Sequence, residues 1–249
     1  MEPRPDKMTL MDINKMFSLL QPGDAEEDSG ESEELSRAVC QDDHEALAGL
    51  LSQDSYRRLI NRRSGWGVPC SPLRLAAARG SVRSLRLLLE HGAEPNARAR
   101  LPEWAANTAA CSGPLYLAAA YGHLECFRLL LLHGADPDYN CTEPAVLAQI
   151  REPKTLLETC LRHGCRADFI RLLIDFGANV SLPAVPHSDG PGPRSEGLQL
   201  LLHARAHPKS LLSQSRLAMR RLLKQPGCLA TLGELEIPTA LAKYLQHQP

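Results

Sequence analysis

The feature that most constrains this 249-residue chain is an internal repeat. Ser71-Pro-Leu-Arg-Leu-Ala-Ala-Ala-Arg-Gly80, followed by Leu85 to Asn96, returns as Gly113-Pro-Leu-Tyr-Leu-Ala-Ala-Ala-Tyr-Gly122, followed by Phe127 to Asp138. Pro72 maps to Pro114, Gly80 to Gly122 and Gly92 to Gly134, each 42 residues on. A worn third copy runs Leu156 to Gly164 and Phe169 to Asn179, and a fainter one spans Leu35 to Gln53. Each copy reads as a helix pair. A Pro presets the first turn, and small residues (Ala76, Ala77, Ala118, Ala119) let a neighbouring helix approach. A Gly ends that helix in the left-handed conformation. The second helix carries Leu85, Leu88 and Leu89, or Phe127, Leu130 and Leu131, as one apolar stripe. One such pair cannot cover its own apolar face, so the copies must stack into a helical solenoid.

Composition agrees and excludes alternatives. The chain is 43% hydrophobic but only 4% aromatic, which suits helix-on-helix packing better than a β-sandwich. A formal net charge of −1 argues against nucleic-acid binding. No stretch approaches the roughly 20 apolar residues of a membrane span. The apolar run Met8 to Leu20 is broken by Asp12 and Lys15, and no cleavage site follows, so it does not read as a leader. The expected setting is intracellular and cytoplasmic, with nuclear presence left open and the eight cysteines reduced. The Cys160, His163, Cys165 grouping lacks a second half for zinc, and buried thiols are the expected reading. No cofactor or metal is expected. No Gly-x-Ser-x-Gly, phosphate loop or His-Glu-x-x-His occurs, so the chain is not expected to be an enzyme. His91 and His133 recur at matching positions, as helix C-terminal hydrogen bonders.

Four regions follow. In residues 1–34, Ile13, Met16, Phe17 and Leu20 form an amphipathic stripe, for docking on the array or on a partner. Seven of the eleven residues from Asp24 to Glu34 are acidic and read as a solvated linker. Residues 35–181 hold the repeats. Residues 182–202 are a Pro/Gly linker and connecting helix, and 203–249 form a small C-terminal module. In that module Leu211, Ser215, Met219 and Leu222 share one helical face, after start signals at Pro208 and Ser210. Arg216, Arg220 and Arg221 lie opposite. Pro226-Gly227 stops this helix and a second short one follows Pro238. The module is too small to bury that face by itself. Either the array covers it or another protein does.

The repeats resemble ankyrin repeats, with Ser71-Pro72-Leu73-Arg74 and Gly113-Pro114-Leu115-Tyr116 standing where that family usually has Thr-Pro-Leu-His. The 42-residue spacing exceeds the usual length of about 33, and the extra residues fall in Ala97 to Ser112, a loop containing Trp104. That loop reads equally as a recognition element, a surface insertion or a scar of lost repeats.

The C-terminal module resembles a SOCS box. Ser210-Leu211, Ser215 (where Cys is usual) and Met219 match its elongin-binding half, and Leu235-Glu236-Ile237-Pro238, Leu241 and Tyr244-Leu245 match its cullin-binding half, with Glu236 replacing a Pro. The combination is identified as a member of the ankyrin-repeat and SOCS-box family. The resemblance implies an all-α fold, an ankyrin solenoid followed by a small helical module. It implies a non-catalytic substrate receptor in the ubiquitin conjugation pathway. Elongin C and elongin B would bind through Leu211, Leu212, Ser215 and Met219. Cullin-5 with its RING subunit would bind through Leu235, Ile237, Pro238, Leu241, Tyr244 and Leu245. A protein substrate would be held near the ligase for ubiquitylation and proteasomal degradation. Concave-face candidates for that substrate are Arg74, Arg79, Trp104, Tyr116, Tyr121 and Tyr139, although Tyr116 and Tyr121 read equally as packing between repeats. An ankyrin scaffold without ligase recruitment stays open, and in it Leu211 faces the last repeat.

Overall fold

The computed structural model describes residues 30–62, 70–96, 113–138, 155–182, 196–222 and 237–245. Among them there are twelve helices and no strand. In chain order they are α1 (Gly30–Gln41), α2 (His44–Leu51), α3 (Asp54–Leu59), α4 (Pro72–Arg79), α5 (Val82–Glu90), α6 (Pro114–Ala120), α7 (Leu124–Leu132), α8 (Leu156–Arg162), α9 (Ala167–Asp175), α10 (Glu196–Ala206), α11 (Leu211–Leu222) and α12 (Thr239–Leu245). Helices α1, α4, α6 and α8 stack as one layer, and α2, α5, α7, α9 and α10 as the other. One continuous core of buried apolar side chains runs through both.

The local chemistry of each helix pair is the one the repeats predict. Pro72 sits in the first turn of α4, and the Ser71 hydroxyl accepts from the Arg74 amide at 3.5 Å. Gly80 ends α4 at φ 76°. A Cβ there would lie 2.5 Å from Nδ1 of His123, which belongs to the next repeat. Only glycine meets both demands. Leu85, Leu88, Phe127 and Leu130 are fully buried, and Phe127 meets Phe169 edge-on at 5.0 Å between ring centres. The faint first copy is α1 and α2. Asp42 takes φ 51° and its carboxylate accepts from the Ser84 amide (3.0 Å) and hydroxyl (2.7 Å), bonds that offset the left-handed strain.

Side chains also ladder the repeats together. Asn61 accepts from the Glu94 amide at 2.9 Å and donates to the Gly92 carbonyl at 3.4 Å. Asn96 repeats this with Asp136 (2.8 Å) and Gly134 (3.3 Å). Asp138 accepts from the Asn179 amide at 2.8 Å but has no side-chain donor, and its Oδ1 is buried without a partner. His91 and His133 bond the carbonyls of Leu87 and Leu129, each at 2.9 Å, as their shared position implies.

Two expectations are corrected. The acidic stretch is helical from Gly30 onward, with Ser32 and Leu35 buried. Glu31 and Glu33 occupy the first turn, where carboxylates favour the positive end of the helix dipole. Glu34 accepts from the Tyr56 hydroxyl at 2.6 Å, a bond that pushes Tyr56 up to about 12. The boundary expected at 203 falls inside α10. That helix belongs to the stack: Leu201 is fully buried, and Arg205 Nε donates to the Val180 carbonyl at 2.6 Å. The helix stripe before residue 21 and the loop containing Trp104 lie outside the described residues.

Candidate functional site

Helix α11 is built as the spacing predicts. The Ser210 hydroxyl accepts from the Ser213 amide at 3.2 Å and the Ser210 carbonyl from the Gln214 amide at 2.9 Å, which start the helix. Its stop at Pro226-Gly227 lies outside the described residues. What sequence periodicity did not decide is which face turns inward. Leu211 is 82% exposed and Leu222 76%; Leu212, Ser215 and Met219 are exposed too. The buried residue of this helix is Arg220, at 7%. Burying one leucine side chain is worth about 2 kcal/mol. The stripe therefore leaves several kcal/mol of apolar burial unused.

The basic side holds the module to the array. Arg220 Nη1 donates to the Leu245 carbonyl at 2.9 Å, and Nη2 to the Leu131 and Leu132 carbonyls at 3.0 Å each. Its guanidinium lies 4.6 Å over the Phe176 ring, and Arg216 lies 4.6 Å over the Tyr244 ring. Burial, with Arg216 nearby, draws Arg220 down to about 10. Burial raises the Asp138 and Asp175 carboxyls and lowers Lys209, while the charges of Lys209 and the two aspartates oppose those shifts. Between Asp136–Asp138 and α11 runs a cleft of about 190 Å³, below the roughly 300 Å³ of a small-molecule site.

Helix α12 divides the second set of candidates. Pro238 and Leu241 are exposed, Ile237 and Tyr244 are half-buried, and Leu245 is buried with its carbonyl on Arg220. The end of α12 is thus held on α11. Leu235 lies outside the described residues.

The target candidates scatter. Arg79 is exposed. Tyr116 and Tyr121 are half-buried and pack against the core, with the Tyr121 ring stacked 6.3 Å from that of His123. Arg74 is buried, at 4% exposure, with Nε and Nη1 unpartnered, so its guanidinium offers no contact surface in this conformation. Trp104 and Tyr139 lie outside the described residues. The neighbouring Cys160 and Cys165 side chains act on each other, raising the Cys160 thiol and drawing Cys165 down. No group of metal-ligating side chains occurs among the described residues. Nor is any helix there long and apolar enough to cross a membrane. Sequence reasoning set Arg220 opposite the stripe but missed its contacts, and it missed the Asn61, Asn96, Asp138 ladder. The ladder left one signal, because Asn96 and Asp138 are 42 residues apart, in repeat register.

Comparison with known proteins places these modules. The ankyrin-repeat family model (three copies) matches residues 19–141, and the SOCS-box model matches residues 207–246, beginning where α10 ends. Ankyrin repeat and SOCS box protein 12 of Homo sapiens is 45% identical over 309 residues, covering 97% of this chain and 100% of the relative. The Mus musculus protein of the same name is 44% identical with the same coverage. Ankyrin repeat and SOCS box protein 1 of Mus musculus is 35% identical over 119 residues, 45% of this chain and 35% of the relative.

Proposed function

Since the chain belongs to the ankyrin-repeat and SOCS-box family, whose members act as substrate-receptor adaptors of cullin–RING ligases, we propose that it recruits elongin B, elongin C and cullin-5 through its C-terminal module. In this reading Leu211, Leu212, Ser215 and Met219 form the elongin-binding stripe. Ile237, Pro238 and Leu241, with Leu235, form the cullin side. Tyr244 and Leu245 support that surface from beneath. The array holds a protein target, in the cytoplasm, within reach of an activated ubiquitin. The chain itself then performs no bond chemistry. Its contribution is effective concentration, because a tethered lysine meets the thioester as an intramolecular partner.

The observation that carries this reading is the outward stripe of α11, with Leu211 82% exposed while Arg220 faces the array. A self-capping scaffold requires Leu211 against the last repeat, which is the reverse. The test is co-expression of the full chain with elongins B and C. Capture by the natural chain and its loss in Leu211→Asp is the expected result. Elongins retained by the Asp variant would sink the assignment.

A further inference from the structure

A buried guanidinium is costly unless its donors are satisfied. Arg220 meets that condition with backbone carbonyls from two modules. Leu131 and Leu132 lie in the last turn of α7, where the helix dipole is negative and carbonyls have acceptor capacity to spare; Leu131 also accepts from the Gly134 amide at 3.2 Å. Leu245 ends α12. Phe176, under the guanidinium, caps α9. One side chain thus ties the ends of two ankyrin helices to both helices of the C-terminal module.

We propose that Arg220 is the positioning residue that fixes the orientation of the SOCS-box module on the ankyrin array. With the function proposed above, on which this clause rests, it sets where a bound target stands relative to the recruited ligase. The planar fork of arginine reaches separate acceptors at once and stacks on a ring. The point charge of lysine does neither. The apolar stripe lies on the other face of α11, so elongin binding and orientation are separable.

The full chain, purified with elongins B and C, carries spin labels on ketone side chains introduced at the exposed positions Arg83 and Gln214. Pulsed electron resonance then reads the array-to-module distance. The natural chain gives one narrow distribution. Arg220→Met broadens it by about twofold or more, as one orientation gives way to several. Arg220→Lys and Phe176→Leu broaden it less, and elongin affinity stays unchanged throughout. Gly80→Ala, which strains the array remote from the junction, leaves the width alone. A distribution as narrow in Arg220→Met as in the natural chain overturns the proposal. Should that variant not fold, unchanged widths in both Arg220→Lys and Phe176→Leu overturn it equally. Failure of the natural chain to capture elongins would break the ligase reading while the distance result still judged the clamp.

Discussion

Helices α5 and α11 carry apolar side chains at helical spacing, yet Leu88 is fully buried and Leu222 is 76% exposed. The difference lies in what each helix can find within its own chain. Helix α5 has α2 on one side and α7 on the other, each offering a matching stripe. Helix α11 packs on the array through Arg220 and the half-buried Leu217, which lies against Gly177, and leaves Leu211, Leu212 and Leu222 outside. Amphipathic spacing therefore reports that a face wants cover. It does not report who supplies the cover.

Placing the same charge on each stripe tests this contrast. Leu88→Asp places an unpaired carboxylate in the core and should cost more than about 4 kcal/mol, enough to unfold the array in a urea titration. Leu222→Asp should stay within about 0.5 kcal/mol of the natural chain. A large loss from the second substitution would mean that the stripe is buried within the chain after all.

The next effect tests why the buried stripe is positioned so closely. Gly80→Ala adds left-handed strain and a clash with His123, and should lower stability by about 2 kcal/mol or more. Gly122→Ala has the same φ sign but nothing within 4 Å of the added carbon, and should cost only about 1 kcal/mol. Equal thermal shifts for the two would show that His123 yields freely.

The smallest effect concerns the edge of the array where cover changes from leucine to arginine. Asn96 both accepts and donates across its repeat boundary, whereas Asp138 only accepts. Asp138→Asn should stabilise the chain by about 1 kcal/mol at pH 7, measured by chemical unfolding. Burial raises the Asp138 carboxyl in the folded state. Its contribution to stability is therefore present at low pH and lost as pH rises through that raised value. The advantage of Asn should shrink on acidification.

Much of this was legible from local chemistry. Pro72, Gly80 and the Leu85, Leu88, Leu89 stripe specify a helix pair by themselves, because each acts within a few residues. The short α3 was not legible, since Asp54 to Leu59 has no repeat to compare with. The acidic stretch misled for a physical reason. Carboxylates at a helix N-terminus and in a solvated linker look alike until Ser32 and Leu35 are seen to be buried. Arg220 was placed correctly on the face opposite Leu211 and Leu222. In sequence, that placement reads as a solvent face.

The repeat, its stacking and the apolar stripe on α11 follow from the order of residues alone, because periodicity and turn chemistry are local properties. Long-range packing settled that the array takes the face bearing Arg220 and Leu217 and leaves Leu211, Leu212 and Leu222 free. That choice depends on the Leu131 and Leu132 carbonyls at the end of α7 meeting a residue 89 and 88 positions away in the chain.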